Sequence, residues 1–356
     1  MKQKNIKINK LLSRTWNRLN MNETEVMIPD IEYKQYEISP ELPEEGVMHD
    51  RTERIKELNI SSGMGEEIGK LIDEQGVYSD SFYIKPDNDL EKPLRIKMNY
   101  KNNDKKFNYI EIYAGENSRS TVIMEYESNR YAQGMAAIQI KVYAEKNAHI
   151  HLIQVQLLGD RFTHLNDIGG RCEEGASINI DQIILGGKYR YLGCMIDLYG
   201  AESSMDTGIG YIADNEQELD MNYIVQHKGI KTESNINVNG MLSDNAFKIF
   251  RGTIDFKSGA SGASGRENEN VLMIGEKAVN QTIPIILCEE EDVDGSHGAT
   301  IGNLDEDMLF YLYTRGFDRD KAYNMMAKAR IDAICRKIPD EEISEKINKY
   351  AKWGDV

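Results

Sequence analysis

Ile138-Gln139-Ile140-Lys141-Val142 puts three β-branched side chains on one face and two polar ones on the other. That is the period-two signature of a half-buried strand. The same reading extends outward from it. Upstream lie Phe82-Tyr83-Ile84, Leu94 to Met98, Tyr109 to Tyr113 and Thr121 to Met124. Downstream lie His149 to Ile153, Ser177 to Ile180, Met221 to Val225, Asn235 to Val238 and Phe247 to Phe250. Small or polar turns precede many of them, for example Lys146-Asn147-Ala148, Glu174-Gly175-Ala176 and Ser243-Asp244-Asn245. About a dozen short strands with no helical stretch between them predict an all-β body over roughly 200 residues. A sandwich, a barrel and a β-solenoid all fit that count, and no exact repeat length chooses among them.

The flanks read differently. Residues 1–85 are expected to be helical pieces and irregular links: a short amphipathic helix from Asn9 to Leu19 carrying Trp16, helical propensity over Glu53 to Leu58, and a helix from Met64 to Glu74 with Ile68, Leu71 and Ile72 on one side. Pro29, Pro40 and Pro43 make Ile28 to Met48 an extended connector. After a β body over 86–300, residues 301–356 are expected to be helical. Asn303 or Asp305 caps a helix with Glu306 and Asp307 in its first turn and Arg315-Gly316 at its end. Asp318 or Asp320 starts a second, with Ala322, Met325, Met326, Ala329 and Ala333 at helical spacing and Pro339 at its end. Ile343, Ile347 and Tyr350 mark one face of a third, Glu341 to Tyr350. These helices either pack on the β body or present a face to a partner.

Composition narrows the function. The chain has 43 Lys+Arg against 59 Asp+Glu, a net charge of −16, which argues against a nucleic-acid or anionic-membrane surface. Cys172, Cys194, Cys288 and Cys335 are scattered with no CxxC pair, so neither a zinc site nor a disulfide framework is written here. No apolar run approaches the roughly 20 residues of a membrane helix. The basic start, Met1 to Lys10, is not followed by the apolar stretch of a signal peptide, so a reducing cytoplasm is the expected compartment.

Chemistry concentrates in Ile285 to Gly316, where the β pattern hands over to the helical tail. His297 stands among Gly295, Ser296, Gly298 and Ala299. A lone histidine is ordinarily structural, but small neighbours leave this imidazole accessible, and neutral imidazole is a good iron ligand. Cys288, nine residues earlier, offers a thiol; inside an apolar strand beside four acids it reads as a quiet buried one. Glu289, Glu290, Glu291 and Asp292 are ordinarily a solvated charge run, with the holding of incoming ferrous iron as the alternative. The glycine-rich run Ser258 to Gly265 lacks the lysine of a phosphate cradle and reads as a mobile surface loop, so ATP, if used, is bound elsewhere. His149 and His151 share a strand face, and two ligands are too few for a metal.

Asp292-Val293 followed by Ser296-His297-Gly298-Ala299-Thr300, then Leu304-Asp305-Glu306, Leu309 to Leu312 and Arg315-Gly316, resembles the D-V-x-x-S-H-G-A-T … L-D-E-x-x-L-F-Y-L-x-x-R-G signature of the SufB/SufD family of iron–sulfur cluster assembly, its SufD branch more closely than SufB. His227-Lys228-Gly229, Phe250 to Ile254, Leu272 to Gly275 and Arg14 to Asn17 resemble further blocks of that family. The resemblance implies a right-handed parallel β-helix core with helical N-terminal and C-terminal regions. It implies a non-catalytic scaffold that pairs with a SufB-like subunit through the β-helix and with a SufC-like ABC ATPase through the C-terminal helices. Leu309, Tyr311, Arg315, Met325, Met326 and Ala329 are the expected partner-facing residues. No cofactor is then bound stably; a transient iron–sulfur cluster would form at a subunit interface, with His297 as candidate ligand and Cys288 behind it. Two departures stand out. Glu269 occupies the position of SufB's essential cysteine, and Gly295 the position where many SufD chains have cysteine. A SufB-like scaffold that pairs with itself is the alternative, and a β-helix enzyme acting on acidic polysaccharide is a more distant one.

Overall fold

The computed structural model describes residues 3–15, 17–30, 33–338 and 340–351; Trp16 and Pro339 lie outside the described residues. Strands β1 (Gln3–Ile8) and β2 (Thr24–Pro29) pair antiparallel, followed by β3 (Val47–Asp50) and helix α1 (Glu66–Gln75). Sixteen strands then run to Gly302: β4 (Ser79–Ile84), β5 (Leu94–Tyr100), β6 (Lys105–Ala114), β7 (Arg119–Ser128), β8 (Gln133–Ala144), β9 (His149–Leu157), β10 (Arg161–Cys172) and β11 (Ser177–Ile184); then β12 (Tyr189–Leu198), β13 (Ser204–Ala213), β14 (Glu218–His227), β15 (Glu233–Ser243), β16 (Phe247–Phe256), β17 (Ala263–Ile274), β18 (Val279–Cys288) and β19 (Val293–Gly302). Helices α2 (Glu306–Thr314), α3 (Arg319–Cys335) and α4 (Glu341–Ala351) follow.

Even-numbered strands from β4 to β18 form one parallel sheet, with β3 added antiparallel at its edge; odd-numbered strands from β5 to β19 form the other. Each coil contributes one strand to each sheet, so the chain is a parallel β-solenoid of eight coils, as the family resemblance implies. The advance per coil varies: Thr163 pairs with Tyr189, 26 residues on, and Phe247 with Val279, 32 residues on. That variation is why no fixed repeat shows in the sequence.

The bends hold the coils in step. Asp87, Asn117, Asn147, Gly175, Glu202, Lys231 and Gly262 occupy the same bend in successive coils, all with positive φ. Asn117 Nδ2 donates to Asp87 Oδ1 at 2.9 Å and Asn147 Nδ2 to Asn117 Oδ1 at 3.0 Å, a side-chain ladder running along the stack. Asparagine tolerates the left-handed conformation that most L-residues resist. The residue after the bend points inward and is small: Ser118, Ala148, Ala176, Ser203 and Thr232 are all buried.

Between the sheets lies an apolar core, including Ile96, Met124, Ile140, Leu152, Ile168, Ile180 and Val238. A polar thread runs through it: Gln154 Nε2 donates to Tyr126 Oη at 2.9 Å, Asn166 Nδ2 and Gln182 Nε2 donate to Gln154 Oε1, and Tyr223 donates to Gln182. Burying these groups is tolerable because each finds a partner.

Both outer faces are covered. The expected helix from Asn9 to Leu19 does not form; only a 3-10 turn at Asn17–Leu19 appears, and another at Lys56–Leu58 replaces the second expected helix. Instead Ile6 and Ile8 of β1 and Val26 and Ile28 of β2 alternate onto the outer face of the β4–β18 sheet, where α1 joins them with Ile68, Leu71 and Ile72. Burial against a sheet outweighs the weak helical propensity of so short a segment. Arg251 pins this layer: its Nη1 donates to Asp220 Oδ1 at 2.6 Å, its Nε to Met21 O at 2.7 Å and its Nη2 to Thr24 Oγ1 at 3.0 Å. On the other sheet, α3 crosses β11, β13 and β15 and α4 packs beside it on β9.

The α3 stripe differs from expectation. Ala322, Tyr323, Ala327, Ile331, Ile334 and Cys335 are buried, whereas Ala329 and Ala333 are exposed. Tyr323, Ala327, Ile331 and Ile334 repeat at three- and four-residue steps, and Tyr323, Ile331 and Ile334 carry more apolar surface than Ala329 and Ala333, so this face turns inward.

Candidate functional site at the open end of the stack

The coils end differently. At the start, β3 pairs with the edge of β4, and Glu41 exchanges backbone hydrogen bonds with Arg95 at 2.9 and 3.0 Å along the edge of β5. Tyr36, Ile38 and Val47 close the core there. At the other end nothing among the described residues pairs with the outer edges of β18 and β19. Pro284, which has no N–H to donate, sits in β18, where an edge strand tolerates it.

Strand parity tells which side chains of the last coil face inward. Ala263, Gly265, Glu267, Glu269 and Val271 of β17 are buried, and their register partners in β19 are Val293, Gly295, His297, Ala299 and Ile301. On β16, Phe250, Gly252, Ile254 and Phe256 stand below Thr282, Pro284, Ile286 and Cys288. A Cβ on Gly295 would meet Phe256 and Ile286, which confirms the inward direction. His297 and Cys288 therefore occupy core positions of a final coil that, among the described residues, no further coil covers, and both are exposed. The expectation of a buried Cys288 is corrected: its Sγ contacts Glu290 O at 3.0 Å, and it is open because the stack stops there.

The acids beside it are largely engaged. Glu289 pairs with Lys257 at 2.9 Å, Glu290 accepts from Gly259 N at 2.9 Å, and Asp292 accepts from Ser261 Oγ at 2.8 Å. The Lys257 ammonium holds Glu289 below the usual carboxylate range. Three of the four thus serve to stack one bend on another. The glycine-rich run beneath them is that lower bend rather than a mobile loop: Ala260 and Ala263 are buried, and Gly262 N donates to Asp292 O at 2.7 Å.

One coil deeper lies a charged cluster that sequence reading missed. Lys248 and Glu269 form an ion pair with both side chains fully buried, and Thr282 Oγ1 donates to Glu269 Oε2 at 2.6 Å. Burial pushes Lys248 down to about 8 and Glu267 up to about 8. The signal in the sequence is Arg266-Glu267-Asn268-Glu269-Asn270, a strand pattern with acids at the inward positions. His227, by contrast, is a satisfied core histidine: Thr232 Oγ1 and Ser234 Oγ lie 2.8 and 2.9 Å from its ring nitrogens, and burial pushes it down to about 4. His149 and His151 each have one partner, Ser177 and Asp181, both at 2.8 Å. Cys172 and Cys194 are buried in the core, and burial raises both thiols. Among the described residues no group of three or more His, Cys, Asp or Glu could hold a metal by itself.

Apolar surface gathers at this end. Val279, Ile286 and Ile301 are exposed, as are Met308, Phe310, Tyr311 and Tyr313 of α2, with Phe310 69% exposed. Asp305 caps α2, accepting from Asp307 N at 2.7 Å, and Asp318 caps α3, accepting from Lys321 N at 2.9 Å. Of the expected partner-facing residues, Tyr311, Arg315 and Ala329 are exposed and Met325 half-buried. Leu309 and Met326 are half-buried against the body of the protein. No helix among the described residues is long and apolar enough to cross a membrane.

Comparison with known proteins identifies the family. Residues 97–330 match the family described as SUF system FeS cluster assembly, SufBD core domain. The chain is 25% identical over 268 residues to the iron–sulfur cluster assembly protein SufD of Bacillus subtilis (strain 168), covering 74% of this chain and 61% of that protein. It is 25% identical over 236 residues to SufD of Escherichia coli (strain K12), covering 65% and 55%. A chloroplastic SufBD family protein of Arabidopsis thaliana is 25% identical over 224 residues, covering 61% and 40%. The chain thus spans less than two thirds of the length of each of these relatives. A solenoid of eight coils, an uncovered last coil bearing the S-H-G-A-T run, and a family match across most of the stack lead to one conclusion: the chain belongs to the SufBD core family of the SUF iron–sulfur cluster assembly system.

Proposed function

We propose that this chain is the SufD-like, non-catalytic half of a cytoplasmic platform on which iron–sulfur clusters are built. A SufB-like subunit would cover the open end by adding its own strands to the free edges of β18 and β19. A SufC-like ABC ATPase would dock on the C-terminal helices, over the exposed side chains of α2 and the outer face of α3. ATP-driven movement of that ATPase would rearrange the interface, where a cluster forms transiently with His297 as a ligand from this side. The observation that carries the reading is the unpaired last coil. A sheet edge with free N–H and C=O groups is a template for another strand, and proteins ordinarily blunt such edges unless they are used. Here the opposite end of the same stack is covered, and the free one is flanked by exposed Ile286, Ile301 and Phe310.

A second copy of the chain could occupy the same edges, and one experiment separates the two readings. The chain is co-expressed with the SufB-like and SufC-like proteins of the same cell, purified without oxygen and supplied with ferrous iron and sulfide. The expected result is a complex containing all three, with a lower cluster yield for His297→Ala in a complex of unchanged composition. A chain that ignores both partners and elutes as a homodimer sinks the heteromeric reading. An undiminished yield in the variant removes His297 from the site.

A further inference from the structure

The alternation from Ile138 to Val142 turns Gln139 and Lys141 to the outer face of the β4–β18 sheet, where polar side chains ordinarily meet water. Here residues 53–60 and helix α1 lie over them and leave a cavity of about 210 Å³. Ile55, Ile60, Ile72 and Val77 make its walls apolar, Gln139 and Lys141 lie at its base, and the exposed Glu53 and Asp73 stand at its rim. Lys141 Nζ donates to Ile60 O at 2.7 Å, its one hydrogen bond among the described residues. Two carboxylates are near, and both are taken. Asp167 accepts from Ser62 Oγ at 2.6 Å and from Met64 N and Gln139 Nε2 at 2.8 Å. Glu111, the register partner of Lys141, accepts from Arg54 N and Tyr109 Oη, both at 2.7 Å. Burial outweighs the field of Asp167 and lowers the amine below the usual lysine range, which favours its neutral, nucleophilic form.

Gly69 is the second sign of a built site. It stands inside α1 and lines the cavity, and a Cβ there would meet nothing within 4 Å beyond the adjacent helix backbone. Glycine inside a helix costs stability relative to alanine, and no close packing requires it here. Its missing side chain keeps the cavity clear. A desolvated amine in an apolar cavity is suited to trapping carbonyl compounds as imines. We propose that this cavity holds a small neutral aldehyde as an imine on Lys141, at a site separate from the open end of the stack and independent of the function proposed above. The lysine nitrogen bonds to the carbonyl carbon, the carbonyl oxygen leaves as water with two protons from the nitrogen, and C=N replaces C=O. No oxidant or reductant is consumed. A cavity of about 150 Å³ holds benzene, so this one takes a molecule of about six to eight non-hydrogen atoms. The surroundings select against negative charge. A carbamate from carbon dioxide, or an aldehyde bearing a carboxylate, would stand beside Asp167 and Glu111; a neutral aldehyde brings no charge to them.

Pentanal and glyoxylate serve as probes, one neutral and one anionic, with cyanoborohydride to reduce the imine to a stable secondary amine. The full chain is treated with each at neutral pH, digested and mapped by mass spectrometry, with Lys92, its side chain 77% exposed, as the internal reference. Pentanal should label Lys141 about tenfold faster than Lys92 at low concentration, with a rate that saturates for Lys141 and stays linear for Lys92. Glyoxylate should show no preference for Lys141. Gly69→Leu, which plugs the cavity, should slow Lys141 about tenfold and leave Lys92 unchanged. Gly69→Ala should melt above wild type and slow Lys141 by a smaller factor, so the test stands even where the leucine variant fails to fold. Labelling of Lys141 no faster than of Lys92, a rate without saturation, or a rate indifferent to Gly69 substitution in a folded chain overturns the proposal. Equal preference for Lys141 with both probes overturns the selection for a neutral ligand.

Discussion

The first and last coils follow the same two-strand plan and meet water in opposite ways. At the first, Phe82 is fully buried and stacks on His49 with ring centroids 4.5 Å apart, and β3 and the Glu41 segment occupy both strand edges. At the last, residues of the same inward parity, His297, Ala299 and Ile301, are exposed along with both edges. A solenoid coil is stabilised by its two neighbours, so a terminal coil with one neighbour is unfinished unless something covers it. Among the described residues the chain covers one end and leaves the other open, and His297 and Cys288 stand there.

Three measurements test that contrast. The largest effect should come from matched core truncations. Phe82→Ala in the first coil should lower stability by about 3–5 kcal/mol, as large-to-small changes in sealed cores do, whereas Ile286→Ala in the last should cost about 1 kcal/mol or less. Urea midpoints of the two variants check this, and equal losses would mean that the last coil is sealed in solution.

The next is a proton. His164 is fully buried with neither ring nitrogen partnered, and burial pushes it down to about 3. The unfolded chain binds this proton below about 6.5 and the folded chain does not, so stability falls as pH drops from about 6.5 toward 3. The slope from one such group is at most about 1.4 kcal/mol per pH unit. Melting temperatures between pH 7 and 4 should fall less steeply for His164→Phe than for wild type. An unchanged slope would mean that this part of the lumen is already wet.

The smallest effect is in the bends. Asn147→Ala should cost about 1–2 kcal/mol by forcing a Cβ-bearing residue without a local hydrogen bond into positive φ, and Asn147→Gly should recover most of it. The pair of variants, compared by thermal melting, tells whether the asparagine ladder matters for its conformation or for its side-chain bonds.

Much of this architecture was legible in the residues, and the gaps have physical causes. Strands with apolar alternation, such as those around Ile138 and Leu94, could be read directly. The strands over Arg161–Cys172, Tyr189–Leu198, Ser204–Ala213, Ala263–Ile274 and Val293–Gly302 could not. Their inward or close-packed positions carry Gly169-Gly170, Gly193, Gly208, Gly210, Gly265, Glu267 or His297, which breaks the alternation on which strand reading depends. The buried face of α1 was legible, and Asp305 and Asp318 were each one of two caps the sequence offered, because short-range rules govern them. The β1–β2 pair was not legible, since the surface it covers, Phe107, Met135 and Leu165 among others, lies far along the chain. At the open end, the S-H-G-A-T run pointed to His297. Glu267 and Glu269 were marked only by the alternation from Arg266 to Asn270, and that they face the lumen follows from which coil stacks on which.

The uneven spacing of the coils, 26 residues in one place and 32 in another, has a practical corollary. Insertions or deletions of a few residues at a corner leave the cross-section and every neighbouring rung in phase. Corners can therefore drift in length independently over evolutionary time, and a search that expects a constant period will pass over relatives whose three-dimensional shape is unaltered.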